Sequence, residues 1–189
     1  MTAEGYERLA RWFRARPRAL RALVVLNGAL RVTFYAAYAA LLAALAIAAA
    51  REGAGPGGWP GAGLGGSLGG WWRLGACVAV PAAAFVALSA YRRHRDAPRP
   101  QEALGITPLI AREGTGRSFP SRHVFSCFVI AGSWLVASVP VALALMALGV
   151  VVAAVRVVGG VHFPRDVLAG ALVGLACGVL TTLVAGAVG

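Results

Sequence analysis

The sequence predicts an all-α integral membrane bundle of about five transmembrane helices, preceded by an N-terminal amphipathic helix at the interface. Three observations predict it. Hydrophobic residues make up 59% of the 189, and the mean hydropathy is +0.73, well above that of an ordinary soluble domain. The apolar residues gather in runs close to the roughly 20 residues that cross a bilayer as a helix. The charge lies between these runs and at the N-terminus. The net charge is +11, and the sequence holds arginine but no lysine. Such a charge would suit a nucleic-acid partner. The apolar runs make a lipid bilayer the better account, with arginines flanking the spans at the headgroup level, and no nucleic acid is expected.

The chain reads as a single membrane-embedded domain, 1–189. Residues 1–30 form a basic interfacial arm. Within it, 5–22 have an amphipathic helical pattern, with Leu9, Trp12, Phe13, Leu20 and Leu23 on one face. Arg8, Arg11, Arg14, Arg16, Arg18 and Arg21 lie on the other, and Pro17 interrupts the pattern. A segment of this kind lies on an anionic membrane surface. It is too rich in arginine, and lacks the early apolar core, for a cleavable signal peptide.

The first span is expected over 32–50, followed by a Gly/Pro-rich connection over 51–70. Trp59, Trp71 and Trp72 read as interface anchors. The second span is expected over 74–91, and a polar loop over 92–122. The third covers 123–139, with a tight reversal at Pro140, and the fourth covers 141–158. A short break over 159–165 holds His162, and the fifth span starts at Asp166. Cys77, Cys127 and Cys177 lie in apolar runs with no ligand spacing, so neither a disulfide nor a metal site is expected.

This layout brings three scattered polar clusters to one membrane face. They are Arg92-x6-Arg99-Pro100, Pro120-Ser121-Arg122-His123, and Arg156-x5-His162-x3-Asp166. Charged groups near spans are costly and mark sites. Arg92, Arg99 and Arg156 offer planar forks of donors suited to phosphate oxygens. Ser121 stands where the third helix needs an N-cap, and the free N–H groups beyond it add an anion site. His162 and Asp166, four apart, meet if the break runs into the fifth helix. A carboxylate on one ring nitrogen fixes the tautomer and leaves the other nitrogen nucleophilic. His123 is a candidate general acid for a leaving oxygen. His94 has no such company and reads as a solvated loop residue.

These clusters resemble the signature of the type 2 phosphatidic acid phosphatase superfamily, which includes lipid phosphate phosphatases and vanadium haloperoxidases. The family pattern is Lys-x6-Arg-Pro, Pro-Ser-Gly-His and Ser-Arg-x5-His-x3-Asp. The resemblance implies that His162 is a nucleophile that becomes a phosphohistidine, that Asp166 orients it, and that His123 protonates the leaving group. It implies phosphate binding by Arg92, Arg99, Ser121 and Arg156, with backbone amide help near Arg122, whose own side chain is a candidate further phosphate or headgroup contact. Here Arg92 replaces the family lysine, Arg122 the glycine and Val155 the serine.

The expected activity is hydrolysis of a lipid phosphomonoester or pyrophosphate without metal or other cofactor. The substrate is expected to be a phospholipid or polyprenyl phosphate, in a bacterial plasma membrane. A non-catalytic anion-binding or transport protein is the rival from another class, though anion binding alone has no use for a His–Asp pair with a second histidine. A vanadate-dependent haloperoxidase would use the same arginines, but those enzymes are larger and soluble. The arginine-rich N-terminus places that end in the cytosol, and two spans then return the catalytic loop to the cytosolic face.

Overall fold

The computed structural model describes residues 1–53, 65–111 and 114–187, and among these every regular element is helical. Trp59, Arg112 and Glu113 lie outside the described residues. Helix α1 spans Ala3–Arg14, capped by the Thr2 hydroxyl, which accepts from the Gly5 N–H at 3.2 Å. The helical pattern breaks after Arg14, directly before Pro17. Pro17 opens the next helix, α2 (Pro17–Gly53), at a position where its missing N–H costs nothing. The expected arm over 1–30 therefore divides between a separate surface helix and the first turns of α2. At 37 residues, α2 is about 55 Å long. That exceeds the roughly 30 Å hydrocarbon core, so one end stands clear of it.

Helix α3 (Gly65–Arg95) carries the chain back to the polar loop, in which α4 (Pro100–Leu104) is a short turn of helix. Helix α5 (Arg122–Ser133) continues as a 3-10 turn over Trp134–Val136. Helices α6 (Val139–Val158) and α7 (Pro164–Gly186) complete the bundle. Segments within α2, α3, α6 and α7 are long and apolar enough to cross a membrane. The protein is a multi-pass membrane protein.

The third expected span differs from the other four. Helix α5 is 12 residues long, too short to cross alone, and nearly every residue from Val124 to Ser133 is buried. It is the central post of the bundle, touched by α2, α3, α6 and α7. Its closest partner is α7, and the reason is legible in the side chains. Gly170, Gly174 and Gly178 recur every fourth residue along α7. A Cβ at Gly170 would stand 2.5 Å from the Ser121 carbonyl oxygen, one at Gly174 2.5 Å from that of Phe125, and one at Gly178 2.6 Å from the Gly132 Cα. The two backbones touch along three turns, the small-residue packing that lipid-embedded helices use in place of a hydrophobic driving force. This contact sets the start of α5 against the start of α7.

Candidate active site

All three clusters meet at the end of the bundle where α3, α5 and α7 face the loop. The loop is held first by its own acids. Asp96 accepts the Arg117 N–H (3.2 Å), and Glu102 accepts the N–H groups of Arg99 (3.2 Å) and Gly116 (2.8 Å). Gly116 and Arg117 take left-handed backbone angles, φ 61° and 53°. Their carbonyls accept from the buried arginines. Arg99 donates through Nε to Gly116 O at 2.9 Å and through Nη1 to Val161 O at 3.3 Å. Arg92 donates to the carbonyls of Arg117, Pro120 and Ser118, the last at 3.2 Å. Arg92, Arg99 and Arg156 are each under 10% exposed. Arg156 donates to the Asn27 side-chain oxygen on α2 at 3.4 Å.

The reactive pair is deeper still. Pro164 begins α7, and the Asp166 carboxylate reaches back to the Phe163 N–H at 3.1 Å, so the helix start fixes the acid. His162 Nδ1 stands 3.7 Å from Asp166 Oδ2, too far for a direct hydrogen bond. Ser118 fills the gap. Its hydroxyl donates to Asp166 Oδ2 at 2.5 Å and lies 3.4 Å from His162 Nδ1. A carboxylate only accepts, so the single hydroxyl proton belongs to that bond. Toward the ring, the Ser118 oxygen can then only accept. Nδ1 therefore carries the ring proton, and Nε2 carries the lone pair. Burial pushes the His162 imidazole down to about 4, helped by the charges of Arg99 and Arg156 and opposed by the Asp166 carboxylate. The ring is neutral near pH 7 and available as a nucleophile.

Ser121 stands at the N-cap of α5, as expected, but its side chain does not cap. The hydroxyl is fully buried without a hydrogen-bond partner, while its N–H donates to the Asp166 carbonyl at 2.8 Å. Buried hydroxyls are almost always satisfied, so this one suits an incoming ligand oxygen. His123 and Arg122 sit at the start of α5. His123 is half-buried and lines a cleft of about 140 Å³ between α2, α3 and α5. Arg122 is exposed, with its guanidinium 5.3 Å from the Phe85 ring centroid. It borders both that cleft and a second one, of about 250 Å³, formed by Arg92, Arg99 and the 114–117 backbone. His94 is exposed.

Sequence reasoning missed Ser118, Asn27 and Tyr6. Tyr6 on α1 is 2% exposed, and its hydroxyl accepts from the Leu109 N–H at 3.0 Å. It also fills the space where a Cβ on Gly160 (φ 74°) would fall, 2.3 Å away.

The family model described as the PAP2 superfamily matches residues 70–188, more than half of the chain. The chain belongs to the PAP2 superfamily. It is accordingly a membrane-embedded phosphatase, a hydrolase acting on phosphoric ester bonds. Two crystal structures share its fold. One is LpxE from Aquifex aeolicus, 23% identical, with a TM-score of 0.51, covering 86% of this chain and 93% of that one. The other is a transmembrane PAP2-type phosphatidylglycerolphosphate phosphatase from Bacillus subtilis, 22% identical, with a TM-score of 0.52, covering 93% and 90%. No curated protein matches in sequence.

Proposed function

We propose that this PAP2 protein hydrolyses a lipid phosphomonoester or pyrophosphate through a phosphohistidine on His162. The observation that carries the reading is the Ser118 hydroxyl between Asp166 and His162, which leaves the lone pair on Nε2. In the first step, Nε2 attacks phosphorus and the bond to the leaving oxygen breaks. His123 gives that oxygen its proton. The ring gains positive charge, which the Asp166 carboxylate balances through Ser118. Arg92, Arg99, Arg156 and the Ser121 hydroxyl hold the equatorial oxygens, whose charge is best met by fixed donors in a site closed to water. In the second step, water attacks the phosphohistidine and gives its proton to His123. The N–P bond breaks, and inorganic phosphate and the neutral imidazole are restored.

A lipid substrate is supported by the position of both clefts at the ends of membrane-embedded helices. The setting we propose is a bacterial plasma membrane with the catalytic face in the cytosol. Helix α1 supports this assignment, because Tyr6 and Arg14 tie the basic N-terminal segment to Leu109 and Thr107 of the catalytic loop. Whichever side holds the arginine-rich end then holds the site. The test is phosphate release by the purified protein in detergent and EDTA. The panel is phosphatidic acid, phosphatidylglycerophosphate, diacylglycerol pyrophosphate and polyprenyl pyrophosphate, with His162→Ala alongside. Release that persists in EDTA and vanishes in the variant supports the scheme. A folded protein that binds inorganic phosphate equally well as wild type and His162→Ala, and releases none, contradicts it.

A further inference from the structure

We infer that Arg31 and Arg122 form a second anion subsite on the leaving-group side of the reaction. This subsite would select lipids that carry a second phosphoryl charge beside the scissile phosphate. The inference rests on the assignment of His123 as the acid for the leaving oxygen. His123 lines the smaller cleft, whereas the buried Arg92 and Arg99 line the second one, and Arg122 borders both. An acid has to stand beside the oxygen it protonates, so the leaving group lies in the smaller cleft.

The walls of that cleft describe what it accepts. Phe34, Phe85 and Ile130 supply apolar surface of the kind that suits acyl or prenyl carbons. Arg31 from α2 and Arg122 from α5 line the same space of about 140 Å³. Two like charges facing so small a volume repel each other, and an anion between them removes that cost. Arg122 rests on the Phe85 face, a geometry that leaves the edge of its planar fork of donors for phosphate oxygens. A leaving group that is a plain diacylglycerol offers these arginines nothing. A leaving group that retains a phosphoryl charge offers each a charge-assisted contact. That charge can be the proximal phosphate of a lipid pyrophosphate or the phosphodiester of a glycerophosphoglycerol headgroup. In the family signature this position is glycine, so Arg122 is a specificity feature of this chain.

The test compares kcat/KM on diacylglycerol pyrophosphate, phosphatidylglycerophosphate and phosphatidic acid for the full chain in detergent, with Arg31→Gln, Arg122→Gln and Arg31→Lys. The wild type prefers at least one of the two doubly charged lipids. Losing one charge-assisted contact lowers that preference over phosphatidic acid about tenfold in each Gln variant, and Arg31→Lys recovers part of it. A preference confined to the pyrophosphate assigns the subsite to a proximal phosphate, and one confined to phosphatidylglycerophosphate assigns it to a phosphodiester. The ratio is internal to each protein sample, so partial misfolding does not move it. A ratio that stays within twofold of wild type in both Gln variants overturns the subsite, as does an equal loss on all three lipids. No turnover by wild type on any lipid overturns the phosphatase reading itself, a different outcome from an unchanged ratio.

Discussion

Replacing Ser118 by alanine isolates the part of the site that sequence motifs do not show. The hydroxyl is 1% exposed, donates to Asp166 Oδ2 at 2.5 Å and receives His162 Nδ1 at 3.4 Å. Without it, Asp166 and His162 face each other across 3.7 Å with nothing between. A hydrogen bond to a charged group contributes about 1.5–3 kcal/mol. The charge that Asp166 must balance appears on the ring only as the N–P bond forms, so the loss falls on the transition state. At 1.36 kcal/mol per decade, kcat drops roughly 10- to 150-fold. The Ser118 hydroxyl is already engaged between Asp166 and His162, so KM changes little. Steady-state kinetics on the preferred lipid give both constants, and Ser118→Thr, which keeps the hydroxyl, recovers part of kcat. A kcat within twofold of wild type, or a change confined to KM, would show that Ser118 does not link the pair.

Four further outcomes follow from the geometry. His162 is held near 4 against 6.5 in a free ring, so between these values the unfolded chain binds a proton that the folded one refuses. Stability is therefore lost as pH falls through that window, by about 3 kcal/mol when complete, and His162→Gln flattens this part of the melting-temperature profile in detergent. Gly174→Leu drives a side chain into the Phe125 carbonyl and destabilises the protein by about 2 kcal/mol or more, whereas Gly28→Ala, which meets nothing within 4 Å, leaves the melting temperature at or above wild type. Tyr6→Ala, which empties the space behind Gly160, lowers kcat and thermal stability together by a cavity cost of about 3 kcal/mol or more, and Tyr6→Phe retains most of both. A cysteine at the exposed Ala103 of α4 labels with an impermeant maleimide only after the cells are opened; labelling of intact cells would move the catalytic face outside.

The residues that carry chemistry by type were legible in the sequence. His162 and Asp166 are four apart across a helix start, and the arginines flank apolar runs, so local spacing was enough to find them. Ser118 was not legible, because its role depends on partners 44 and 48 residues away. Its nearest sequence signal is a hydroxyl just before Phe119-Pro120-Ser121, and nothing local ties it to Asp166. Tyr6 was hidden for the same reason, since its contact with Leu109 spans 103 residues. Ser121 was placed correctly at a helix start, but capping propensity assigned its side chain to the backbone, whereas the structure leaves the hydroxyl buried without a hydrogen-bond partner. The apolar stretch of α5 was legible as a span, but hydropathy does not tell a lipid-facing helix from one enclosed by four neighbours. The glycine spacing of α7, visible in the sequence, was the available sign that something packs against that face closely.

The central claim is a covalent phosphohistidine at His162. Its most direct test mixes the protein with its best lipid substrate, quenches at alkaline pH, where phosphohistidine survives, and maps peptides by mass. The account predicts one added phosphoryl group on the peptide containing His162, none in His162→Ala, and accumulation in His123→Ala if loss of that base slows the water step. Turnover with no phosphoryl group on His162 in wild type or in His123→Ala, or with the group on another residue, would contradict it.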